Sequence, residues 1–459
     1  MRITSDSIRY TLLRNKTNMQ NSGWSMLDFG FSIVFSFIVL KLVVGCLGVD
    51  RYGFYTFFAN FTKTLGLVDI GISVVVSKYL SEYIPLKKYG RANQVIQIGT
   101  SLYFVIGIVV FISVWLFRYP VIRFLRFPDE LFGIAESALS ITSAGFLFLL
   151  LNGISSSVLI ADQKWKSITI LNIIFNSINF ASIIFIIYSG LFGDNILFAL
   201  IVLNAAIALI RLVFTTIYAK HIYPHFKIAR FDREQFDKIR NFLKYSSLQY
   251  LFAFFIGHID GIILSRYLGL TSLGYYNFCL KFYTAIHGLI ASLFKILFPV
   301  MSKFHGSGDY KKLFKMVKKS MFLTLAFSVS IFTAIVLLWK PVIAWYAGFE
   351  TAKSTYALMI VFGMILIVRS LDVVYYYVFN SMAYPKIFIY STIIVAVITN
   401  SLYFVLIPLF QEFGMVAATL IAYIFATGFI SYFYVFKILK KPTPVKIIIP
   451  EPEKYSDSS

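Results

Sequence analysis

The stretch that decides the fold is LGVDRYGFY at residues 47–55, because it returns as LGLTSLGYY at residues 268–276. Both copies have the form L-G-x-x-x-x-G-[FY]-Y, which we call the LG motif. Corresponding residues of the two copies are 221 positions apart, and we call this distance the repeat spacing. Each copy lies between two long apolar runs near the start of one half of the chain. A pattern repeated at matching places indicates an internal duplication.

The composition places the chain in a membrane. Of its 459 residues, 59% are hydrophobic and 14% are charged, and the mean hydropathy is +0.78. A soluble domain of this size does not need so apolar a composition to fill its core. The apolar residues form continuous runs of about 20, the length that crosses a hydrocarbon core of about 30 Å as a helix. Continuous runs predict helices, whereas membrane β-strands alternate.

Twelve such runs are present, six in each half. The predicted spans are residues 24–47, 53–80, 94–117, 131–160, 168–190, 196–218, 246–267, 273–299, 320–338, 356–380, 387–409 and 413–436. Each LG motif follows the first span of its half, so the two halves share one orientation. We therefore predict an all-α membrane protein with twelve transmembrane helices in two parallel six-helix bundles around a central cleft. Membrane proteins duplicated in this way are typically carriers, whose bundles rock about a shared site.

The distribution of basic residues predicts the orientation. Alternate connections beginning with the N-terminal tail carry 29 of the 42 Lys and Arg residues, and the opposite connections carry 7. Since basic loops stay cytoplasmic, both termini are predicted to be cytoplasmic. The segment before the first span is too polar for a signal peptide, so the first helix is expected to remain as an anchor. The net charge of +21 then reflects topology and requires no nucleic-acid partner.

The predicted organisation has five parts. They are a cytoplasmic tail (1–23), an N-terminal six-helix bundle (24–219), a cytoplasmic linker (220–244), a C-terminal six-helix bundle (245–437) and a cytoplasmic tail (438–459). Within the linker, apolar residues recur at Phe236, Ile239 and Leu243. This spacing predicts a short amphipathic helix on the membrane surface.

Two further elements follow the LG motifs and carry a resemblance to a known family. They are LVDIGIS at residues 67–73 and LFPVMS at residues 297–302. In combination with the motifs, they resemble the polysaccharide biosynthesis branch of the multidrug/oligosaccharidyl-lipid/polysaccharide (MOP) exporter superfamily. The similarity extends from about Asn21 to Lys440.

This resemblance implies a flippase of the bacterial inner membrane. Its cargo would be an undecaprenyl-diphosphate-linked oligosaccharide, moved to the periplasmic leaflet for O-antigen, capsule or exopolysaccharide assembly. Membrane lipids, the glycan polymerase and the chain-length machinery are the implied partners.

Cations within the predicted spans are the candidate substrate-binding residues. They are Lys41, Lys63, Lys281, Lys295 and Arg369. A charge at the centre of a bilayer costs about 2.5–3.5 kcal/mol on insertion scales, so such residues are expected to line a cavity. A positive cleft would suit an anionic headgroup. Lys281 and Lys295 are separated by about 21 Å along one face of a helix, with Gly288 between them.

Some embedded charges have alternative interpretations. Lys295 lies near a span end, where its side chain can extend to the membrane surface, and the same applies to Arg211. Arg369 and Asp372 lie on one helical face and can neutralise each other within one helix. Asp28 also lies near a span end and is a weaker candidate.

Three embedded carboxylates are the candidate ion-coupling residues. They are Asp69, Asp260 and Asp372. Coupling to Na⁺ or H⁺ is expected, and the sequence leaves open which ion is used. No resident cofactor is predicted.

The remaining motifs argue against an enzyme. The chain has no G-x-x-x-x-G-K-[ST] loop, no H-E-x-x-H and no C-x-x-C, so neither a catalytic nor a metal site is predicted. Both cysteines, Cys46 and Cys279, lie in or beside apolar runs and predict no disulfide. Two alternatives stay open: a cation-coupled multidrug antiporter of the same superfamily, and a membrane-embedded glycan polymerase.

Overall fold

A computed structural model describes most of the chain. The described residues are 5–65, 72–84, 86–162, 165–227, 230–240, 243, 259–294, 297–382 and 385–440. They form helices and connecting turns without a β-strand. The helices are α1 (Ser5–Leu65), α2 (Ile72–Tyr83), α3 (Tyr89–Leu125), α4 (Phe132–Ala161), α5 (Trp165–Tyr188), α6 (Ile196–Ile222), α7 (Asp260–Tyr267), α8 (Gly269–Phe294), α9 (Leu297–Gly306), α10 (Tyr310–Ala347), α11 (Phe349–Ser381), α12 (Pro385–Tyr423) and α13 (Tyr432–Lys440).

Eight described helical segments are long and apolar enough to cross a membrane. Two of them, Leu27–Phe61 and Tyr390–Lys437, contain a backbone break, at Gly48 (φ 74°) and at Gln411 (φ 54°) respectively. The prediction of an all-helical membrane protein is therefore confirmed. The number of twelve spans remains a prediction.

The LG motif forms the same backbone turn in both halves. Gly48 and Gly269 occupy equivalent positions in the two copies, and both have a left-handed φ, 74° and 84°. Only glycine adopts this conformation without a steric penalty from Cβ. The glycine therefore turns the chain from the first helix of each half into the second. We call the end of the molecule that carries Gly48 and Gly269 the LG end.

The duplication extends to the other left-handed positions. Of the nine described residues with positive φ, eight form four pairs. The pairs Gly48/Gly269, Lys87/Gly308 and Gly190/Gln411 are separated by the repeat spacing, and the pair Arg126/Gly348 exceeds it by one. The two halves thus turn at corresponding places from the first helix to the last.

Two helices are longer than their apolar runs. The sequence predicted spans 94–117 and 320–338, but α3 and α10 continue beyond both ends of these spans. Each also passes through a proline, Pro120 or Pro341, and these two are again separated by the repeat spacing. The helices extend beyond the predicted spans because hydropathy marks where a helix leaves the hydrocarbon, while backbone hydrogen bonding continues into water.

The linker helix, residues 233–240, packs against α2 and α3 of the first half. Its residue Ile239 is buried against Val75 of α2 and Ile98 of α3. The Tyr79 hydroxyl also donates to the carbonyl of Lys238 at 3.3 Å. The amphipathic helix was predicted correctly, but its apolar face contacts the first half of the chain because α2 and α3 present an apolar groove there.

The pair Gly190/Gln411 predicts opposite effects of substitution. Gln411 has φ 54° and ψ −135°, a strained backbone that costs about 1–3 kcal/mol for a residue with a side chain. Gln411→Gly should therefore raise the free energy of unfolding by about 1 kcal/mol, after the entropic cost of glycine. Gly190→Ala, at φ 72°, should lower it by about 1–2 kcal/mol. Unfolding of the two variants in detergent checks the signs, and an equal effect of both would contradict the assignment.

Candidate functional site at the seam between the halves

The two halves meet where α1 packs against α8. We call this contact the seam, and at the LG end it is formed by Val49, Gly53, Thr56, Leu270, Gly274 and Asn277. A Cβ atom on Gly53 would overlap the carbonyl oxygen of Leu270, and one on Gly274 would lie 2.5 Å from the carbonyl oxygen of Val49. Position 53 corresponds to 274, and 49 to 270. The same contact is thus made twice, as a two-fold axis between the halves requires.

One turn further into the molecule, polar side chains join the halves. The amide of Asn277 donates to the hydroxyl of Thr56 at 2.9 Å, and the amide of Asn60 donates to the carbonyl oxygen of Asn277 at 3.4 Å. Thr56 and Asn277 are themselves separated by the repeat spacing, so equivalent positions bond to each other across the axis. The seam is therefore closed at the LG end by backbone contact and by these two hydrogen bonds.

Lys281 follows on the same face of α8. It lies one turn beyond Asn277, and Gly288, two turns further, contacts the ring of Phe29 on α1. Both neighbours on this stripe face the first half, so the helical period places Lys281 on the seam as well. Its residue exposure is intermediate. Among the predicted substrate-binding residues with described side chains, Lys281 is the one that the fold positions between the halves.

Arg369 lies behind α8, inside the second half. Its guanidinium donates to the hydroxyl of Tyr283 at 3.1 Å and lies 5.1 Å from the centre of the Tyr423 ring. Asp372 accepts a hydrogen bond from Thr427 at 2.9 Å. In the described part of the chain, no ion pair joins Arg369 to Asp372. Each side chain thus has a hydrogen-bond partner on another helix segment, and mutual neutralisation of Arg369 and Asp372 stays a prediction.

Asp260 is buried between three helices of the second half. Its carboxylate accepts hydrogen bonds from Tyr276 at 2.5 Å and from Tyr403 at 2.8 Å. Tyr403 is in turn 3.3 Å from the hydroxyl of Thr419. The carboxylate has hydroxyl donors and no cation among its described partners.

Lys41 lies apart from these residues. Its ammonium group is 4.5 Å from the centre of the Trp345 ring and 5.8 Å from that of Tyr346, both on α10. The lysine and Trp345 are exposed. The structure thus places Lys41 on the outer edge of the contact between the halves. Asp69 and Lys295 lie outside the described residues, as does the side chain of Lys63.

A polar cluster in the first half was not predicted. Arg211 of α6 donates to the amide oxygen of Asn172, and the amide nitrogen of Asn172 donates to Asp28 at 2.8 Å. The expectation that Arg211 extends to the membrane surface was wrong, because Asn172 holds it inside. Asn176, one turn along, bonds to Ser32 at 3.1 Å. The signal in the sequence was the spacing of Asn172 and Asn176 along an otherwise apolar helix.

Comparisons with known proteins identify the family. Residues 19–305, more than half of the chain, match the family described as polysaccharide biosynthesis proteins. The chain belongs to this family. The resemblance predicted from the LG motifs is therefore confirmed.

A curated relative supports the assignment to this family. A candidate O-antigen transporter of Salmonella typhi is 22% identical over 288 residues, which cover 61% of this chain. The match spans 64% of that relative, which is less than two thirds of its length.

Solved structures show the same fold. The lipid II flippase MurJ in an inward closed conformation superposes with a TM-score of 0.72 and 18% identity, over 91% of this chain and 87% of that chain. An inward-facing multidrug resistance MATE transporter superposes with a TM-score of 0.68 and 15% identity, over 89% of this chain and 96% of that chain. A MOP superfamily transporter from Pyrococcus furiosus superposes with a TM-score of 0.60 and 15% identity, over 93% of this chain and 96% of that chain. The polysaccharide biosynthesis protein described here is thus a multi-pass membrane protein with the fold of MOP superfamily transporters.

The seam predicts opposite effects of two alanine substitutions on one helix. Gly53→Ala places a methyl group against the Leu270 carbonyl and should lower the free energy of unfolding by about 1–3 kcal/mol. Gly45→Ala, two turns earlier on α1, has open space and should be neutral or stabilise by up to about 1 kcal/mol through helix propensity. Unfolding in detergent measures both, and equal stability of the two variants would contradict the close contact.

Proposed function

We propose that this protein is a flippase that moves an undecaprenyl-diphosphate-linked oligosaccharide repeat unit across the bacterial inner membrane by alternating access. The observation that carries the proposal is the closed seam at the LG end, where equivalent residues of the two halves touch across a two-fold axis. Two parallel bundles joined in this way can separate at one end while they close at the other. The match to polysaccharide biosynthesis proteins supports a glycan cargo for O-antigen, capsule or exopolysaccharide assembly.

The charge distribution assigns the two ends to the two sides of the membrane. The connections at the LG end are poor in Lys and Arg, so the LG end would face the periplasm and both termini the cytoplasm. The closed seam then corresponds to a state that is shut toward the periplasm. In this state a substrate would enter from the cytoplasmic leaflet, where the lipid-linked repeat unit is expected to be available.

The embedded cations would have different roles in this mechanism. Lys281, on the seam, would contact the diphosphate as it passes between the bundles, together with Lys63 and Lys295. Arg369 would act on the diphosphate indirectly, through its hydrogen bond to Tyr283, because Tyr283 lies between it and the seam. Lys41, on the outer edge beside Trp345, would contact the headgroup or neighbouring anionic lipids as the cargo leaves.

Transport would be coupled to Na⁺ or H⁺ through carboxylates of the second half. Asp260 is the best placed, since its described partners are hydroxyl groups that bind either form of the carboxylate. Asp372 has a threonine partner in the same half, and Asp69 is a further candidate in the first half. The glycan polymerase and the chain-length machinery would receive the translocated unit.

A multidrug antiporter is the alternative supported by the likeness to MATE transporters. Its organic cations would be repelled by Lys281 on the seam, so the cationic seam favours an anionic cargo. Uptake of a fluorescent organic cation into proteoliposomes distinguishes the two cargo classes. A membrane-embedded polymerase, the third possibility, would yield a longer covalent glycan when the purified protein is supplied with the lipid-linked oligosaccharide.

A reversible cross-link tests alternating access. Thr56→Cys and Asn277→Cys, combined with Cys46→Ser and Cys279→Ser, place two thiols where side chains are now 2.9 Å apart. Oxidation should lock the LG end closed and stop flipping of the lipid-linked oligosaccharide in proteoliposomes, and reductant should restore the rate. Each single cysteine in the same background is the control. Full activity of the oxidised, fully cross-linked protein would overturn the mechanism.

A charge reversal tests the cargo. Lys281→Glu should slow flipping by at least tenfold, because the seam would then repel a diphosphate. Lys353→Glu makes the same change on an exposed side chain of α11 and should leave the rate within a factor of two. The amount of surface glycan in cells that carry each variant gives a second measure. Wild-type flipping by Lys281→Glu would remove the basis for an anionic cargo at the seam.

A further inference from the structure

A pocket of about 380 Å³ opens at the C-terminal end of α3. Its lining includes Tyr119, Arg123, Arg126, Asp129 and Phe132, and we call it the α3 pocket. The volume lies within the range of small-molecule sites, about 300–1,000 Å³. Nothing in the transport mechanism above uses it.

The α3 pocket concentrates basic residues at the end of the molecule whose connections otherwise hold few of them. The connections at the LG end hold only seven basic residues, and three of them, Arg118, Arg123 and Arg126, belong to this one connection. Basic residues on this side oppose the charge asymmetry that orients the helices, so their concentration here needs another reason. Arg118 has one, since it forms an ion pair with Glu136 at 2.7 Å. Among the described side chains, Arg123 and Arg126 form no ion pair with a carboxylate.

The structure holds the side chain of Arg123 and the backbone of Arg126 in place. The guanidinium of Arg123 lies 4.5 Å from the centre of the Tyr119 ring and donates to its hydroxyl. Tyr119 in turn packs edge-on against Phe132, with ring centres 5.2 Å apart. The backbone of Arg126 is fixed at the end of α3, where its N–H donates to the carbonyl of Arg123 at 3.2 Å. A guanidinium positioned in advance, as that of Arg123 is, loses less side-chain entropy when it binds a planar anion.

Arg126 carries a backbone cost that its counterpart avoids. It ends α3 in the left-handed conformation, with φ 55° and ψ 42°. The corresponding turn in the second half uses Gly348, which has no Cβ to strain it. A side chain at such a position costs about 1–2 kcal/mol. Lys87 and Gln411 are also left-handed residues with a glycine counterpart, and Arg126 differs from them in that its side chain lines the α3 pocket.

The distance of the α3 pocket from the hydrocarbon core limits the ligands that it can bind. The apolar run of α3 ends at Phe117, and Arg126 lies about 13 Å further along the helix. The headgroup layer on each side of a bilayer is only about 5–8 Å thick. The pocket therefore opens in water beyond the lipid phosphates, within reach of sugars that extend from the membrane.

We propose that the α3 pocket binds an acidic sugar residue of the hexuronate class. One planar carboxylate matches the forked donors of Arg123 or Arg126. Asp129 accepts hydrogen bonds from sugar hydroxyl groups and repels a phosphate dianion, and the rings of Tyr119 and Phe132 pack against the C–H face of the sugar. The choice of a sugar rests on the proposed function, whereas the anion-binding geometry does not.

The test uses the full-length protein purified in detergent, with methyl β-D-glucuronide as the probe. Saturation-transfer NMR titration should show binding to the wild type at least tenfold tighter than that of methyl β-D-glucoside. Arg126→Gly, which gives the turn the residue found in the second half, should weaken glucuronide binding at least tenfold without lowering the thermal stability. Arg123→Gln should weaken binding similarly. Arg51→Gln removes an exposed charge elsewhere at the LG end and should leave the affinity unchanged.

Three results would overturn the proposal. They are equal affinity for the neutral glucoside, unchanged binding in a folded Arg126→Gly variant, and displacement of the glucuronide by inorganic phosphate at equal concentration. The last would reveal a general anion site. Glucuronide binding by a protein that does not flip the lipid-linked unit would support the α3 pocket as a binding site and overturn the proposed transport function. Flipping without glucuronide binding would support the transport function and overturn the proposed binding site.

Discussion

The close approach of α1 and α8 at Gly53 and Gly274 constrains everything else in this protein. Because a two-fold axis relates the contacts, a change at either position affects the same interface, and neither side can compensate for the other. The contact consists of backbone packing and two amide hydrogen bonds, with no ion pair among the described residues. Helices in a membrane gain little from apolar burial and associate through such close packing of small residues. A contact of this kind is specific when closed and still able to open.

The sequence predicted the duplication because the glycines of the LG motif have a distinctive role. Gly48 and Gly269 adopt a left-handed backbone that other residues resist, so a repeated glycine marks a repeated turn. Lys87 and Gln411 turn the chain in the same way but give no signal of their own. They become recognisable only when their counterparts in the other half, which are glycines, are compared at the repeat spacing. A single turn is therefore predictable when glycine fills it, and otherwise only through the duplication.

The candidate site was predicted less completely, for a physical reason. Hydropathy identifies charges that a bilayer excludes, and helical period identifies their face, but neither names the helix that a face meets. Lys281 was assigned to the space between the bundles, and its position on α8 between Asn277 and Gly288, which both contact α1, agrees with that assignment. Arg369 satisfied the same criteria, yet Tyr283 separates it from that space. Lys41 lies beside Trp345 because the exposed ring offers it a partner at the edge. That these cations bind substrate stays a prediction.

The two halves share a backbone but differ in how their charges are balanced. In the first half, Asn172 links Arg211 to Asp28, so a cation and an anion compensate each other through one amide. In the second half, the described partners of Asp260 are the hydroxyl groups of Tyr276 and Tyr403, with no cation among them. A buried charge without a counter-ion gains more free energy from a bound ion than one already compensated. Ion binding should therefore shift the second half more than the first. In a two-fold scaffold, ion coupling can then be located in one bundle, while the cargo binds where both bundles meet.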